Sequence, residues 1–431
     1  MDIEKARGAP MSAGQMQNEP LSPQLEHIPE EKVSTSRQQP KSLPLTFLHN
    51  TAAPYQVEFF NALAASEEGK SLQVYYCQLR HHNRPWKAAL VHQYAYEVLR
   101  GLHFSLLKRT NVYHFNPGIV TRLLRRGRRN LWIICGYSDL TNQIAMVWRT
   151  ILRQPWIMLT EEPERSSRRS PLRNLIRWAL LFLIKRGSSG VIAFGARSAK
   201  DYFDEQMKGS IPVEALPQYL DVSPYLRIGK ARIERHQRDG APATVNFFYA
   251  GQVESFSGVD TLVTAFNQIA RNSSTVRLHI VGSGSALNHV QQMVDPLVED
   301  RITFHGTKEW NEMPALYEIA DVFVHPSRGQ GWGMVVNEAL ASGLPLVASE
   351  ESGAARELVK TGDVGFLINP EDIGAMYESM KFFADNPEEI VTFAERAYET
   401  GKGLDISVGV RRFLDIVSDA VPSQPAPLQA Q

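Results

Sequence analysis

The feature that most constrains the fold is a pattern of short apolar strand, turn and amphipathic helix that occurs in two successive blocks. The predicted strands of the first block span 45–49, 72–77, 132–135, 156–159 and 190–194. Those of the second block span 246–250, 277–281, 302–304, 322–324, 345–348 and 365–368. Strand–helix alternation predicts parallel sheets covered by helices. The predicted fold class is therefore α/β, with two Rossmann-like parallel-sheet domains facing across a cleft.

The length of the chain and the composition of its ends indicate the domain organisation. At 431 residues the chain exceeds what one hydrophobic core usually organises. We predict a disordered leader over 1–43, an N-terminal domain over 44–235 and a C-terminal domain over 243–405. A helix over 406–420 could cross back to the N-terminal domain, and a disordered tail over 421–431 follows. The leader and the tail are polar, rich in Pro and Gln, and lack apolar periodicity.

Charge is distributed unevenly between the blocks, although 46 basic and 46 acidic residues balance overall. Residues 121–200 contain 16 Lys or Arg and 4 Asp or Glu, whereas residues 243–405 contain 10 and 23. The basic block could face an anionic membrane, an acidic acceptor or nucleic acid, or its arginines could simply be solvated and pair with the acidic block. Since no nucleic-acid-binding motif accompanies the charge, we expect no nucleic-acid partner.

The cysteines, the histidines and the N-terminus bear on the compartment and the cofactors. Cys77 and Cys135 lie in apolar segments, which favours a reducing compartment over a disulfide scaffold. The first twelve residues lack the apolar core of a secretory signal, so we predict a cytoplasmic protein. The twelve histidines show no metal-binding spacing, and we predict that no metal or other cofactor is required.

Three glycine-bearing turns follow predicted strands of the second block. They are Gly251-Gln252, Gly282-Ser283-Gly284 and the segment from Gly329 to Gly333. In an open α/β sheet, the turns at the carboxyl ends of the strands line the ligand crevice. Without a Cβ, backbone N–H groups can approach a phosphate, and a following helix N-terminus favours negative charge. Three such turns in one domain predict a phosphorylated or nucleotide ligand.

Glu338 is the strongest single candidate for a ligand contact. The third glycine-rich turn runs into a predicted helix that carries this residue near its start, among Val335, Val336, Ala339 and Leu340. A carboxylate there can accept two hydrogen bonds from vicinal hydroxyls such as those of a ribose. The alternative is a solvent-facing helix residue, but the apolar neighbours predict partial burial, and a buried carboxylate needs a partner.

Several segments of the second block carry a family resemblance. Residues 325–358 are HPSRGQGWGMVVNEALASGLPLVASEESGAAREL, and FFYAGQVESFSGVDTLVTAF, LHIVGSG, FHG and YEIADVFVHPS precede or overlap them in order. These segments resemble the donor-binding half of retaining GT-B glycosyltransferases of the glycosyl transferases group 1 (family four) type. The family signature is two Glu separated by seven residues, and it stands here in degenerate form as Gln330 and Glu338. The first block resembles the family more loosely, through PYQVEFFNAL, VIAFG and PQYLDVSPY.

The resemblance implies an enzyme with a nucleotide-sugar donor in the C-terminal domain and an acceptor in the N-terminal one. It implies that Glu338 binds the donor ribose and that the turn at Gly251 contacts the diphosphate. It also implies that a set of backbone N–H groups holds the distal phosphate and the sugar: those of Gly331, Trp332, Gly333 and Met334. Further donor-binding candidates are Gln252, Ser257 and Gly282. Donors fixed at the departing diphosphate stabilise the transition state more than the ground state.

Three positions depart from the family pattern. Gln330 replaces the first Glu, which keeps a carbonyl acceptor but loses a negative charge that would favour an oxocarbenium-like centre. Gln252 stands where the family places Arg or Gln, and Ser257 stands where it places Lys. The cationic pair that commonly binds the diphosphate is therefore absent. The candidates for compensation are Arg197, Lys200 and Arg328.

The N-terminal block offers carboxylates instead of the His that the family often places near the anomeric carbon. Glu161 and Glu162 follow the strand PWIMLT and could orient the acceptor hydroxyl, or could be helix N-terminal carboxylates favoured by the helix dipole. Asp139, after the strand LWIIC, is a second catalytic candidate. His49 and Asn50 end the first strand, where the family's acceptor loop lies.

Residues 165–186 contain seven basic residues, no acidic ones and the apolar run WALLFLI. A helix of this kind could lie at an anionic bilayer interface, where a lipid-linked acceptor would be found, and the protein would then be peripheral on the inner face of the membrane. The alternative, a core-facing helix of the N-terminal domain with solvated ends, is favoured because the run is apolar around the whole helix.

The leading hypothesis is a retaining glycosyltransferase that acts on a glycan or lipid-linked acceptor in polysaccharide or glycolipid assembly. The competing hypothesis is a catalytically impaired GT-B protein that binds sugar nucleotides or a partner, which Gln330, Ser257 and the missing His favour. A nucleotide-sugar epimerase on the same scaffold is a third class.

Overall fold

The computed structural model describes residues 44–79, 91–105, 112–125, 130–161, 171–329 and 331–420. The predicted leader and tail lie outside these ranges, as do Gln330 and Glu162. Within them, the chain forms two parallel sheets covered by helices, which confirms the predicted α/β fold class.

The strands of the described residues are, in chain order, β1 (Leu45–His49), β2 (Gln73–Tyr76), β3 (Ala95–Val98), β4 (Leu102–Ser105), β5 (Val112–Phe115), β6 (Leu131–Cys135), β7 (Trp156–Thr160), β8 (Gly190–Ala193), β9 (Val213–Ala215), β10 (Val245–Ala250), β11 (Val276–Val281), β12 (Ile302–Gly306), β13 (Val322–His325), β14 (Leu346–Ser349) and β15 (Gly365–Ile368). The helices are α1 (Pro54–Ala65), α2 (Ile119–Arg125), α3 (Leu140–Ile151), α4 (Pro171–Gly187), α5 (Asp201–Met207), α6 (Ser223–Asp239), α7 (Val259–Asn272), α8 (Leu287–Gln292), α9 (Met313–Glu318), α10 (Met334–Ala341), α11 (Gly353–Leu358), α12 (Ile373–Asp385), α13 (Pro387–Lys402) and α14 (Ile406–Ala420).

Both sheets are parallel throughout and share one topology. The first has the order β3-β2-β1-β6-β7-β8-β9, and the second has β12-β11-β10-β13-β14-β15. In each, the strand order reverses beside the first strand of the sheet, between β1 and β6 and between β10 and β13. Such a switch point opens a crevice at the carboxyl ends of the strands, where open α/β sheets bind ligands.

Most of the strands that the sequence located are buried on both faces, although edge strand β12, which it also located, is not. All five residues of β6 (LWIIC) and of β7 (WIMLT) are buried, so each reads as one apolar run. The sequence missed β3, β4, β5 and β9. β3 lies at the sheet edge and is largely exposed, β4 and β5 form a separate antiparallel hairpin, and β9 has only three residues.

The contacts of α6 and α14, the two helices near the connections between the sheets, show to which lobe each helix belongs. α6 contains the predicted boundary at residue 235 and packs on α9, α10 and α13, beside the second sheet. Its buried Arg232 donates to Ser342 O (2.9 Å) and Tyr317 O (2.7 Å). α14 returns to the first sheet and packs on α1. We call the first sheet with its helices and α14 the N-lobe, and the second sheet with its helices and α6 the C-lobe.

α4 matches the favoured interpretation as a core-facing helix on one side only, where Ile184 and its neighbours pack on the N-lobe core. It belongs to the outer helix layer of the N-lobe, and among its described side chains only Ile184 is buried. Leu175, Trp178 and Phe182 are 61, 65 and 49% exposed. The apolar run of α4 therefore has two different environments. One side packs on the sheet, and the other is exposed. In the described part of the chain, no helix combines the length and the apolar character needed to cross a bilayer.

Candidate active site

The candidate site lies at the switch point of the C-lobe sheet, where β10 and β13 end. Gly251 follows β10 and Gly282 follows β11, and their two turns touch through the backbone. A Cβ added to Gly282, whose φ is +134°, would lie 1.7 Å from Gly251 O. Only glycine fits this contact. Gln252 is exposed, and its carbonyl oxygen accepts a hydrogen bond from the Tyr249 hydroxyl (2.7 Å).

Ser257, which replaces the family's Lys, is buried in the turn that follows Gly251. Its Oγ accepts a hydrogen bond from Glu254 N (3.3 Å), and the Glu254 carboxylate accepts one from Ser285 N (3.0 Å). These bonds tie the first and second glycine turns together and place a carboxylate beside the second turn. Ser257 therefore serves the internal bonding of the turn, and its contact with a donor stays a prediction.

The loop before α10 presents backbone N–H groups that have no acceptor among the described residues. The carbonyl groups of Gly331 and Trp332 accept from Gly353 N (3.2 Å) and Ala354 N (2.7 Å). By contrast, the N–H groups of Trp332, Gly333 and Met334 donate to no acceptor among the described residues. Gly333 has a φ of +89° and precedes the first residue of α10. Free N–H groups at a helix N-terminus form a site for an anion such as a phosphate.

His325 is a candidate that the sequence analysis did not single out. It ends β13, is 4% exposed, and burial lowers the pKa of its imidazole to about 4, so the ring is neutral. Neither ring nitrogen has a hydrogen-bond partner in the described structure. A Cβ added to Gly333 would lie 3.2 Å from His325 Nε2, which places the ring against the loop. A neutral imidazole can offer a ligand one donor and one acceptor. The available signal was a polar residue ending an apolar strand at the switch point.

Glu338 lies on the buried side of α10, not in bulk water. It is 5% exposed, and the Tyr317 hydroxyl donates a hydrogen bond to its Oε2 (2.6 Å). Burial raises the pKa of the Glu338 carboxyl to about 7, with the hydroxyls of Tyr317 and Tyr225 lowering it in part and Glu58 raising it. Burial likewise raises the pKa of Glu58 to about 7, with the Asp221 carboxylate adding to the shift. Because Glu58 belongs to α1 of the N-lobe, the pKa of Glu338 depends in part on a carboxylate of the opposite lobe.

A chain of hydrogen bonds connects the loop of the C-lobe to the end of β7 in the N-lobe. Trp332 Nε1 donates to Asn337 Oδ1 (2.9 Å), and Asn337 Nδ2 donates to Gln218 O (2.7 Å). Gln218 Nε2 in turn donates to Glu161 Oε1 (3.0 Å). The other oxygen of Glu161 lies 2.9 Å from the position that a Cβ on Gly331 would take. The structure therefore brings Glu161 to the predicted sugar and phosphate loop, through two residues that the sequence analysis had not singled out.

Asp139 has its contacts inside the N-lobe. It is 3% exposed, and its Oδ1 accepts a hydrogen bond from His114 N (2.9 Å). Burial raises the pKa of this carboxyl to about 6, although the His114 N–H and the Asn50 side chain lower it in part. These bonds attach β5 to the start of α3, so the structure gives Asp139 a positioning role, and its catalytic role stays a prediction.

The cations proposed to compensate for Ser257 are engaged where the structure describes them. Arg328 makes two hydrogen bonds to Asp260 (2.7 and 2.9 Å) and one to Glu371 (2.7 Å). Lys200 forms an ion pair with Asp204. The side chain of Arg197 lies outside the described part. Among the described residues no three His, Cys, Asp or Glu side chains converge to hold a metal ion, and the absence of a metal requirement stays a prediction.

An apolar recess opens at the carboxyl ends of the N-lobe strands, with a cavity volume of about 40 Å³. Its lining includes His49, Phe60, Leu159 and Phe194, and Gln218 lies at the same recess. Burial lowers the pKa of His49 to about 4, partly offset by the Thr51 backbone, so this ring is also neutral. The recess therefore adjoins the Gln218–Glu161 hydrogen bond with apolar and uncharged walls.

Two facing Rossmann-like lobes with glycine turns at the crevice define the GT-B fold, and solved structures agree. The Anabaena protein HepE in complex with UDP superposes with a TM-score of 0.66 at 18% identity, over 88% of this chain and 100% of that one. Sucrose-phosphate synthase from Thermosynechococcus elongatus gives a TM-score of 0.63 at 18% identity, over 88% and 98%.

The sequence of the C-lobe matches a known family model. Residues 233–400 match the family model described as glycosyl transferases group 1. The match lies within the C-lobe, including part of helix α6, and for this part of the chain it confirms the resemblance to group 1 glycosyl transferases stated from the motifs.

Curated relatives match a limited part of the chain. A GDP-mannose-dependent alpha-(1-6)-phosphatidylinositol monomannoside mannosyltransferase of Mycobacterium tuberculosis is 28% identical over 240 residues, which cover 52% of this chain and 60% of the relative. An alpha-D-kanosaminyltransferase of Streptomyces kanamyceticus is 24% identical over 232 residues, covering 52% and 58%. The matches therefore span 60% or less of these two relatives.

Proposed function

We propose that the protein is a retaining glycosyltransferase that moves a sugar from a nucleotide-diphosphate sugar to a glycan or lipid-linked acceptor, in polysaccharide or glycolipid assembly. The observation that carries the proposal is the convergence of three groups at one crevice. These are the buried carboxylate of Glu338, the N–H groups of Trp332 to Met334, which have no acceptor among the described residues, and the Glu161 carboxylate that the other lobe holds beside Gly331.

The donor would bind to the C-lobe mainly through the backbone. The N–H groups before α10, together with the positive end of that helix, suit the two phosphates of the donor. They also suit the transition state, since negative charge grows on the diphosphate as the C1–O bond breaks. The lone pairs of Glu338 that Tyr317 leaves unused can accept hydrogen bonds from vicinal ribose hydroxyls.

The acceptor would approach from the N-lobe. Its hydroxyl oxygen forms the new bond to C1 while the bond from C1 to the diphosphate oxygen breaks, and its proton passes to Glu161 or to the departing diphosphate. Glu161 is exposed, and Gln218 fixes one of its oxygens. This restraint leaves the second oxygen near Gly331 for the incoming hydroxyl.

A lipid-linked acceptor is the form that the N-lobe favours. The recess beside Gln218 is walled by Phe60, Leu159 and Phe194, which suit an apolar portion of the acceptor better than a bare glycan. The M. tuberculosis relative is named for transfer to a phosphatidylinositol monomannoside, an acceptor that also joins a sugar to a lipid.

A second candidate function is a GT-B protein that binds a sugar nucleotide without turning it over. It is favoured because the described residues of the site include no cation placed to pair with the diphosphate. Ser257 is bonded within its turn, and Arg328 is held by Asp260 and Glu371. A missing cation in a dry site costs about 2–4 kcal/mol of charge stabilisation, by analogy with the loss of an oxyanion-hole donor.

The test incubates the purified chain with GDP-mannose or UDP-glucose, with and without a glycolipid acceptor, and follows the released nucleoside diphosphate. Glu161→Gln should lose most turnover while binding the donor normally, and Glu214→Gln, an exposed carboxylate on β9, is the matched control. NMR of the product gives the anomeric configuration, which should match that of the donor. Binding without turnover would support the second candidate, and an inverted product would contradict the retaining mechanism.

A further inference from the structure

The outer helix layer of the N-lobe carries an unusual share of the exposed apolar surface. α3 packs between α2 and α4, and together with the residue that follows α3 these helices hold nine of the eighteen large apolar side chains that are exposed among the described residues. Four of them are more than 60% exposed: Leu124, Ile151, Leu175 and Trp178. Exposed apolar side chains concentrated on one helix layer in this way indicate an interaction site rather than ordinary solvent-facing residues.

The charge on the same layer has one sign. α2, α3 and α4 contain no Asp or Glu, and Arg125, Arg153 and Arg186 are exposed on or beside them. The rings of Trp178 and Phe182 stack with centroids 5.8 Å apart, and the Arg186 guanidinium lies 5.5 Å from the Phe182 ring centroid. Apolar rings flanked by cations suit an interface where hydrocarbon meets negative charge.

This combination identifies the partner by its chemistry. A second copy of the chain would cover the apolar side chains but would also bring the two sets of arginines together, which like-charge repulsion opposes. An anionic bilayer accepts both, because its acyl boundary takes the rings and its headgroups attract the basic residues.

We propose that the outer face of α2, α3 and α4 docks on the surface of an anionic lipid bilayer. α4 joins two parallel neighbours, β7 and β8, so it runs back from the carboxyl ends of the strands. Its first turns, with Leu175 and Trp178, therefore lie toward the edge of the sheet at which β7 leads into Glu161. Docking would place the acceptor side of the cleft next to the lipid surface. The proposal stands on surface chemistry alone and does not depend on the sugar-transfer reaction.

The first test measures binding of the full chain to vesicles of phosphatidylcholine with about 30 mol % phosphatidylglycerol and to vesicles of phosphatidylcholine alone. The chain should sediment with the anionic vesicles and much less with the neutral ones. The double variant Leu175→Ser/Trp178→Ser should bind the anionic vesicles about tenfold more weakly or worse, since it removes two anchoring side chains. Leu297→Ser, at a 77% exposed position of the C-lobe, is the matched control and should bind normally.

The second test separates charge from apolar contact. Lys185→Glu/Arg186→Glu should weaken anionic binding about tenfold or more, at about 1 kcal/mol for each basic residue near the surface. Lys230→Glu, on the exposed side of α6 in the C-lobe, should have little effect. Thermal unfolding of each variant should stay close to that of the wild type, because the changed side chains are exposed or only partly buried.

Three results would overturn the proposal. The first is equal binding to neutral and anionic vesicles. The second is normal vesicle binding by the Leu175→Ser/Trp178→Ser variant. The third is a chain that ignores vesicles and sediments as a dimer that this variant splits into monomers, which would assign the face to a second copy.

Discussion

The two lobes approach the cleft with different kinds of groups. The C-lobe presents backbone N–H groups, close-packed glycine turns and two buried polar side chains, His325 and Glu338. The N-lobe presents one exposed carboxylate, Glu161, beside a recess walled largely by aromatic and aliphatic side chains. Recognition by the backbone demands glycines and strands in a fixed order, so it leaves a strong pattern in the sequence. Recognition by a few side chains does not, which is why the sequence predicts a class of donor but no particular acceptor.

The largest effect on stability is expected from replacing a glycine in the close-packed turns of the C-lobe. Gly282→Ala should destabilise the protein by about 3 kcal/mol or more, because its Cβ would meet the Gly251 carbonyl oxygen and its backbone is in a strained region for other residues. Gly209→Ala in the N-lobe is the control. It also has a positive φ, +70°, but its Cβ would meet nothing within 4 Å, so it should cost only about 1 kcal/mol. Urea unfolding measures both, and equal losses would show that turn-to-turn packing is not the reason for glycine at 282.

A pH titration of stability tests the carboxylates shared between the lobes. Glu58 and Glu338 both have a pKa raised from 4.5 to about 7 in the folded protein, so the folded state binds more protons than the unfolded state between these values. Their favourable contribution is therefore complete below pH 4.5 and is lost as the pH rises through about 7. A pKa raised from 4.5 to about 7 corresponds to about 3 kcal/mol, so the contribution of each carboxyl to the free energy of unfolding should fall by up to about 3 kcal/mol over this window. The lowered pKa of His49 and of His325 acts in the opposite direction, so the fall is read from the difference between the wild type and a variant, measured without ligand.

The same titration on Glu338→Gln isolates one of the two groups. The variant keeps the shape of the side chain but cannot ionise, so the fall of up to about 3 kcal/mol that this carboxyl contributes between pH 4.5 and about 7 should disappear. A slope identical to that of the wild type would mean that Glu338 does not titrate in this range.

A smaller effect, on donor affinity, is expected from replacing His325, and it tests whether this side chain contacts the donor. His325→Phe keeps an aromatic ring but removes both nitrogens, and it should weaken nucleotide-sugar binding about tenfold by the loss of one hydrogen bond in a dry site. Unfolding stability should hold or rise, since the wild-type nitrogens have no partners among the described residues. Normal donor affinity, measured by calorimetry, would make His325 a packing residue only.

Much of the fold could be predicted from the sequence, for a physical reason. Parallel strands buried on both faces, such as β6 and β7, appear as unbroken apolar runs, and their alternation with helices fixes the α/β class. Edge strand β3 and the short β9 carry no such signal. The core-facing side of α4 agrees with the prediction, but the exposure of its outer side was not predicted, because an apolar circumference does not reveal whether that side is covered.

The candidate site, like the fold, could be predicted from the sequence only in part. The position of Glu338 followed from apolar neighbours, and its burial agrees with that prediction. Gln218 and Asn337 were not found, because they meet only when the lobes face each other, at a separation of 119 residues in sequence. The neutral state of His325 and His49 depends on burial, which no local sequence pattern reports.

The account centres on an activated sugar held in the C-lobe by the carboxylate of residue 338. Calorimetry of GDP and UDP with the wild type, Glu338→Gln and the control Glu318→Gln tests this most directly, since Glu318 is an exposed carboxylate next to Tyr317. One nucleotide should bind the wild type and the control equally, and Glu338→Gln about ten- to a hundredfold more weakly, as one to two charge-assisted hydrogen bonds are lost. Unchanged affinity in Glu338→Gln would contradict the account.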